Sequence, residues 1–342
     1  MKKDDDFGAA LKRMATGHSL NEEEATRAFT ALMTGAVSPA RIAAFLTALS
    51  MRHASVDELV GGARVMRQAV VGIQAPPGAV DVCGTGGDGQ GTLNVSTAAA
   101  FVVAGSGVPV AKHGNRAMSS RTGSADVLEA LGVHITLEPG GAEACLRAAR
   151  ICFLFAQSYH PSMKHVASVR QELGFRTVFN LLGPLCNPAH VKRQLIGVYD
   201  ETWLEPFAHA LKALGADKAW VVHGQGLDEL TLNGVSKVAA LENGDVRTFE
   251  ITPEDAGFTR APLKAIKGGT PENNAEAIRA LLRGARGPFR DIVVLNAAAA
   301  LVVADKVANL HEGVHLAAAA IDEGAAQAAL DTLIAASREV AA

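Results

Sequence analysis

Asp81-Val-Cys-Gly-Thr-Gly-Gly-Asp-Gly-Gln-Gly-Thr-Leu-Asn-Val-Ser-Thr97 decides how this chain is read. A short apolar strand runs into a glycine-rich loop, and the loop opens into a helix. Glycines let a backbone turn its N–H groups around a bound anion, and a helix N-terminus adds partial positive charge. A second loop, Lys112-His-Gly-Asn-Arg-Ala-Met-Ser-Ser120, is basic and rich in hydroxyls. No Asp or Glu occurs between Gly89 and Ala125, whereas Lys112, Arg116 and Arg121 all do. These features describe a site for a phosphorylated ligand.

Two familiar phosphate motifs fit poorly. Gly84-Thr-Gly-Gly-Asp-Gly89 has the G-x-G-x-x-G form, but a dinucleotide fold wants an acidic residue about 20 positions on, and none occurs there. No Gly-Lys-Ser/Thr follows the glycines, so the P-loop pattern fails as well.

Outward from that stretch the chain changes character at Pro76-Pro77-Gly78. Residues up to about Ile73 read as helical, with helix starts at Asn21, Ser38-Pro39 and Ser55. Beyond the break, strand and helix patterns alternate. Strands are expected at Ala79–Cys83, Val108–Lys112, Val133–Leu137, Ile151–Phe155, Gln194–Tyr199, Ala219–His223 and Ile292–Leu295. Helices are expected at Ser96–Ala104, Ala125–Leu131, Glu201–Leu214, Pro271–Leu282 and Ala297–Ala308. Such alternation predicts an α/β fold with a mainly parallel sheet and helices on both faces. Lys237–Ile251 reads as a hairpin turning at Asn243-Gly244. Met163–Leu182 is helical without an intervening strand and is expected to return to the amino-terminal helices. The expected division is a helical domain over 1–73, joined by 163–189, and an α/β domain over 74–162 and 190–342.

Composition narrows the function. Of 342 residues, 49% are apolar and only 5% aromatic, so the core must be built from Ala, Val and Leu. A net charge of −3 gives no general reason to bind nucleic acid or an anionic membrane. Cys83, Cys145, Cys152 and Cys186 show neither CxxC nor zinc spacing and read as reduced, buried thiols of a cytoplasmic protein. Gly89–Ala111 carries no charge, but its Asn94, Ser96, Thr97, Gly105, Gly107 and Pro109 suit a buried helix and strand better than a membrane span.

Other residues have a bland and a sharp reading. Any of Asn94, Ser96 and Thr97 could simply cap a helix, but capping needs one residue and leaves the others for phosphate oxygens or a metal. Asp228-Glu229 follows the strand Lys218–His223 and could be a solvated turn. Beside a phosphate, adjacent carboxylates make sense with a bridging cation such as Mg2+. Arg170 is either a surface charge or a clamp for a carboxylate. His160 on a helix with an apolar face is by itself a packing residue.

Taken together, the motifs resemble the anthranilate phosphoribosyltransferase family. The matching segments are Gly84-Thr-Gly-Gly-Asp88, Asn94-Val-Ser-Thr97, Lys112-His-Gly-Asn-Arg116 with Ser119-Ser120, Tyr159-His-Pro161, Val169-Arg170, Asn180-Leu-Leu-Gly-Pro184 and Leu227-Asp-Glu-Leu230. They keep the family's order and span nearly the whole chain. Gln157 stands where many members carry proline, and Ala297-Ala298 replaces a commoner Ala-Gly; neither touches a motif.

The resemblance implies a small helical domain on a larger α/β domain, the active site between them, and a cytoplasmic homodimer formed through the helical part. It implies transfer of phosphoribose from 5-phosphoribosyl 1-diphosphate to the amine of anthranilate, a step of tryptophan biosynthesis. The donor would lie against Gly84, Thr85, Gly87, Asp88, Thr92, Asn94, Ser96, Thr97, Lys112 and Ser120. Anthranilate would meet Gly84, His113, Asn115, His160, Arg170, Gly183 and Pro184, with Arg170 near its carboxylate. Ser96, Asp228 and Glu229 would hold Mg2+. His113 and His160 are candidate proton acceptors. A pyrimidine nucleoside phosphorylase would share the glycine loop but needs no Asp-Glu pair for Mg2+. A nucleic-acid-binding relative would show damaged donor motifs and a basic surface.

Overall fold

The computed structural model describes residues 2–117 and 122–341. Four helices open the chain: α1 (Lys2–Ala15), α2 (Glu22–Met33), α3 (Pro39–Arg52) and α4 (Val56–Ala69). Their starts follow local chemistry. Asn21 with Glu24, and Ser55 with Glu58, form reciprocal capping boxes, and Pro39 occupies the first turn of α3. Phe29 packs edge-on against Phe45 and Phe179, which ties this bundle to the later chain.

The α/β part begins with β1 (Val80–Gly84), α5 (Val95–Gly105), β2 (Val110–Gly114), α6 (Ser124–Leu131), α7 (Pro139–Ala149) and β3 (Ile151–Phe155). A single turn, α8 (Ala156–Tyr159), leads to α9 (Lys164–Leu173) and α10 (Val178–Leu185). These two helices pack on α2, α3 and α4. The chain then forms β4 (Arg193–Gly197), α11 (Leu204–Ala213), β5 (Lys218–His223), β6 (Ser236–Glu242) and β7 (Asp245–Ile251). It closes with α12 (Pro271–Leu282), α13 (Pro288–Val303), α14 (Leu310–Asp322) and α15 (Ala325–Glu339).

One seven-stranded sheet has the order β3-β2-β1-β4-β5-β6-β7. The first five strands are parallel, and the β6–β7 hairpin adds antiparallel at the edge. Strand side chains alternate between two cores, as a period of two requires. Leu195, Trp220, Val222, Val238 and Ala240 join the core beneath α5 and α13. Ile196, Val198, Ala219, Val221, Ala239 and Leu241 join the core that continues through α11 into the amino-terminal bundle. Both faces are therefore covered, which is why these strands read as unbroken apolar runs.

Two expected strands are not strands. Val133–Leu137 alternates buried and exposed residues, but its backbone is held by the Ser337 hydroxyl at His134 N and by the Tyr159 hydroxyl at Leu137 O, not by a ladder. Ile292–Leu295 lies inside α13, which is buried on nearly every face, so a short apolar run there carries no period. The helix expected at Ala297–Ala308 is the second half of α13 and stops at Val303. Gly89–Ala111 is the expected helix and strand, and no helix among the described residues is long and apolar enough to cross a membrane. All four cysteines are buried and free.

Candidate active site

The direction of strand succession reverses between β1 and β4, and open α/β sheets bind ligands beyond the carboxyl ends of strands at such a point. There β1 and β4 end in a facing pair of glycines, Gly84 and Gly197. Their lack of side chains admits the Asp228 segment directly onto the sheet. A Cβ on Gly197 would lie 1.5 Å from the Asp228 carbonyl oxygen, and one on Gly84 would lie 2.3 Å from Asp228 Oδ2.

The acidic turn is fixed from behind. His223 Nδ1 donates to Val198 O (2.8 Å), which leaves Nε2 to accept from Gly226 N (3.1 Å). Buried Asn296 accepts from Leu230 N (3.0 Å) and donates to Leu230 O (2.9 Å). Asp228 and Glu229 are thereby turned toward the glycine loop and the start of α5. Asp228 Oδ2 accepts from Gly86 N (2.7 Å), and Glu229 Oε1 accepts from Ser96 N (3.0 Å) in the first turn of α5.

Arg176 covers the loop from the other side. Its guanidinium stacks 4.2 Å from the centre of the Tyr199 ring and fills the place a Cβ on Gly87 would take. Gly87 also has φ +76, so the position excludes side chains twice over.

Lys112 is buried, and its Nζ donates to Val82 O (2.5 Å) and Ser96 Oγ (3.4 Å). Burial, and next Asp88, push the Asp228 carboxyl up from its ordinary range. Burial, and next Asp228, do the same to Glu229, with Lys112 opposing. Asp81, fully buried beneath the loop, is also raised by burial; it accepts from His113 N (3.1 Å) and Asn187 Nδ2 (2.8 Å). The Thr97 hydroxyl is buried and has no hydrogen-bond partner among the described residues.

A second cluster lies at the end of β2. His113 Nδ1 donates to Gly183 O (3.1 Å), and its Nε2 lies 3.3 Å from His160 Nε2. Both rings are buried. Burial, then His160, lowers His113 to about 3, and burial lowers His160 to about 4. Both are neutral at pH 7. The Pro184 carbonyl is taken by Gln194 Nε2 (2.9 Å), and Arg170 stands on α9 with its guanidinium 5.3 Å from the centre of the Phe179 ring.

The structure thus joins Gly84, Ser96, Lys112, Asp228 and Glu229 in one contact set, and His113, His160 and Gly183 in another. Thr85 is used internally: its N–H donates to Gly197 O and its hydroxyl accepts from Tyr199 N. Asp88 accepts from Gln90 N, Thr92 pairs with Lys267, and Asn94 accepts from Asn274. Asn115 is exposed, its side-chain oxygen accepting from Arg116 N. Ser120 lies outside the described residues. Sequence reasoning missed Asp81, Arg176, Gly197, His223 and Asn274. Asp81 and Asn274 do leave a signal, since each is a polar residue on an otherwise apolar strand or helix stripe.

The chain is similar to known proteins over nearly its whole length. A glycosyl transferase family described by its helical bundle domain matches residues 9–70, and its a/b domain matches residues 76–327. An anthranilate phosphoribosyltransferase of Methylocella silvestris is 56% identical over 96% of this chain and 94% of its own. The crystal structure of the Thermus thermophilus enzyme superposes with a TM-score of 0.91 at 48% identity, covering 96% of this chain and 99% of that one. The Saccharomyces cerevisiae enzyme in complex with PRPP and Mg superposes with a TM-score of 0.89 at 26% identity, covering 97% and 98%. With two glycine-ended strands admitting an acidic turn beside the glycine-rich loop, and similarity to these enzymes over nearly the whole length, the chain belongs to the anthranilate phosphoribosyltransferase family.

Proposed function

We propose that the chain moves phosphoribose from 5-phosphoribosyl 1-diphosphate to the amine of anthranilate, with the glycine loop and α5 as the donor cradle. The carrying observation is the clasp of Asp228 on Gly86 N and Glu229 on Ser96 N across that cradle. Three carboxylates, Asp88, Asp228 and Glu229, act on one another there, with Lys112 as the nearby opposing charge. A donor bearing several more negative charges fits only with a cation. The adjacent Asp228 and Glu229 suit Mg2+, which takes one or two carboxylates with substrate oxygens and water. Asp228, Glu229 and the Ser96 hydroxyl would hold it, and when bound it would offset the charge of the departing diphosphate.

The chain's own groups do the rest. N–H groups of the glycine loop and the first turn of α5 hold the diphosphate where its charge grows. Lys112, kept between Val82 O and Ser96, offers its charge to the same oxygens. An aromatic amine is neutral at pH 7 and needs no strong base. Fixing it within about 3–3.5 Å of the sugar C1 supplies much of the acceleration. Its proton is then acidic enough for a weak base. The His113–His160 pair, with Arg170 for the anthranilate carboxylate, is the acceptor side in this reading, and the molecule works as a homodimer. The test is turnover of Asp228→Asn with Glu229→Gln: the reading expects loss of Mg2+-dependent product with the fold intact. Unchanged rates would remove the Asp-Glu assignment.

A further inference from the structure

We infer that Asn274 is a positioning residue for the donor: it fixes which end of the Asn94 side-chain amide faces the phosphoribosyl group. The inference rests on the donor-site reading above. Residues 266–270 form a strap over the glycine loop. Leu93 N donates to Ile266 O and Gly268 N donates to Gly91 O (2.9 Å each), while Thr92 and Lys267 pair antiparallel. The approach is close enough that a Cβ on Gly268 would lie 2.5 Å from Thr92 O. The strap ends at Thr270, which caps α12, and Asn274 enters from the first turn of that helix, 1% exposed.

An amide side chain looks nearly the same from either end, so its orientation must be earned from neighbours of fixed polarity. Backbone groups provide them here. Gly269 N–H can only donate, and it points at Asn274 Oδ1 (2.8 Å). Asn274 Nδ2 must then face Asn94, and it donates to Asn94 Oδ1 (2.8 Å). Asn94 Nδ2 is left facing Thr122 O, a pure acceptor, at 3.4 Å. The Thr122 hydroxyl closes the circuit on Gly269 O (2.8 Å). Polarity is consistent round the loop, and both amides have one orientation.

The consequence concerns the anion. Asn94 is the N-cap of α5, its carbonyl oxygen held by Asn274 and one of its two amide hydrogens on Thr122 O, so the second amide hydrogen is the one offered to the donor. Turned over, it would present an oxygen to phosphate oxygens and repel them. Asn274, the nearer of the two groups that hold the amide, is the main guard against this. It acts through Asn94, so its effect belongs to donor affinity.

Asn274→Asp separates this role from simple packing. The carboxylate still accepts from Gly269 N and suits a helix amino end, so the strap and α12 are kept. It can no longer donate, and it draws Asn94 Nδ2 toward itself. The expected result is a donor KM raised about tenfold or more, with kcat and the anthranilate KM within about threefold. Asn274→Ala, which leaves Asn94 oriented only by the long contact to Thr122 O, should raise the donor KM less. A packing role predicts the reverse order, since Ala leaves a cavity and Asp does not. An unchanged donor KM in folded Asn274→Asp, or a larger effect for Ala than for Asp, overturns the inference. Should the Asp variant not fold, Asn274→Ala decides alone, and an unchanged donor KM, whatever kcat does, overturns it. Asn94→Ala distinguishes the two levels. If its donor KM is unchanged, the donor-site reading falls and the inference with it. If its donor KM rises while that of Asn274→Asp does not, the inference alone falls.

Discussion

Gly197→Ala is the sharpest perturbation available, because it adds one methyl group to a residue with no chemistry of its own. The new Cβ would stand 1.5 Å from the Asp228 carbonyl oxygen, where an ordinary contact begins at 3.4 Å. The carbonyl must recede by about 1.9 Å, or the end of β4 must yield, since the obstacle is backbone and cannot rotate away. Gly197 pairs with Gly84 on one side and Val222 on the other, so the strand has little freedom and most of the movement falls on the Asp228-Glu229 turn. Misplacing a catalytic group by about 1 Å can cost about a hundredfold, so kcat/KM should fall by at least about two orders of magnitude. Overpacking costs about 1–3 kcal/mol, within the roughly 5–15 kcal/mol of a typical domain, so the variant should still fold. The assay is loss of anthranilate fluorescence with donor and Mg2+, alongside a thermal melt. Gly140→Ala, where a Cβ meets nothing within 4 Å, is the control. If Gly197→Ala kept kcat/KM within about threefold of the parent, the claim that paired glycines seat the acidic turn would be refuted.

Other outcomes follow from the same geometry. Arg170→Ala should raise the anthranilate KM by roughly ten- to a hundredfold through loss of a charge-assisted contact worth about 1.5–3 kcal/mol, with the donor KM unmoved; a change confined to the donor KM would reassign this arginine. Burial holds His113 at about 3 and His160 at about 4, against about 6.5 in an unfolded chain. Below pH 6.5 the unfolded state therefore takes up protons that the fold refuses, and stability is lost as pH falls from 6.5 toward 4. By pH 5 each ring should cost about 2 kcal/mol. Asp81, Asp228 and Glu229, raised by burial, act in the opposite sense, so the comparison must be with His160→Asn, which should flatten the decline between pH 7 and 5. An identical slope in that variant would show that the pair is not neutral in the fold.

Much of this architecture is legible in the sequence. The glycine run, the absence of acids after Gly89 and the alternation beyond Pro77 are local signals, and the structure puts strand, loop and helix where they point. The carboxylates at 228 and 229 were legible only as a pair. What seats them is a glycine on β4 and the ring of His223, and nothing local distinguishes those from ordinary strand residues. Arg176 likewise acts on Gly87 through space, from a turn between two helices. Val133–Leu137 misled because alternating burial arises beside a helix as readily as in a sheet. Ile292–Leu295 misled because a helix buried all round has no polar face to betray its period.

The most direct test mixes purified protein with 5-phosphoribosyl 1-diphosphate, Mg2+ and anthranilate and follows the amine's fluorescence. Decay is predicted with all three present, no decay once the metal is chelated, and none in the Asp228→Asn, Glu229→Gln double variant. Undiminished fluorescence in the complete mixture, or equal decay in the double variant, would contradict the account.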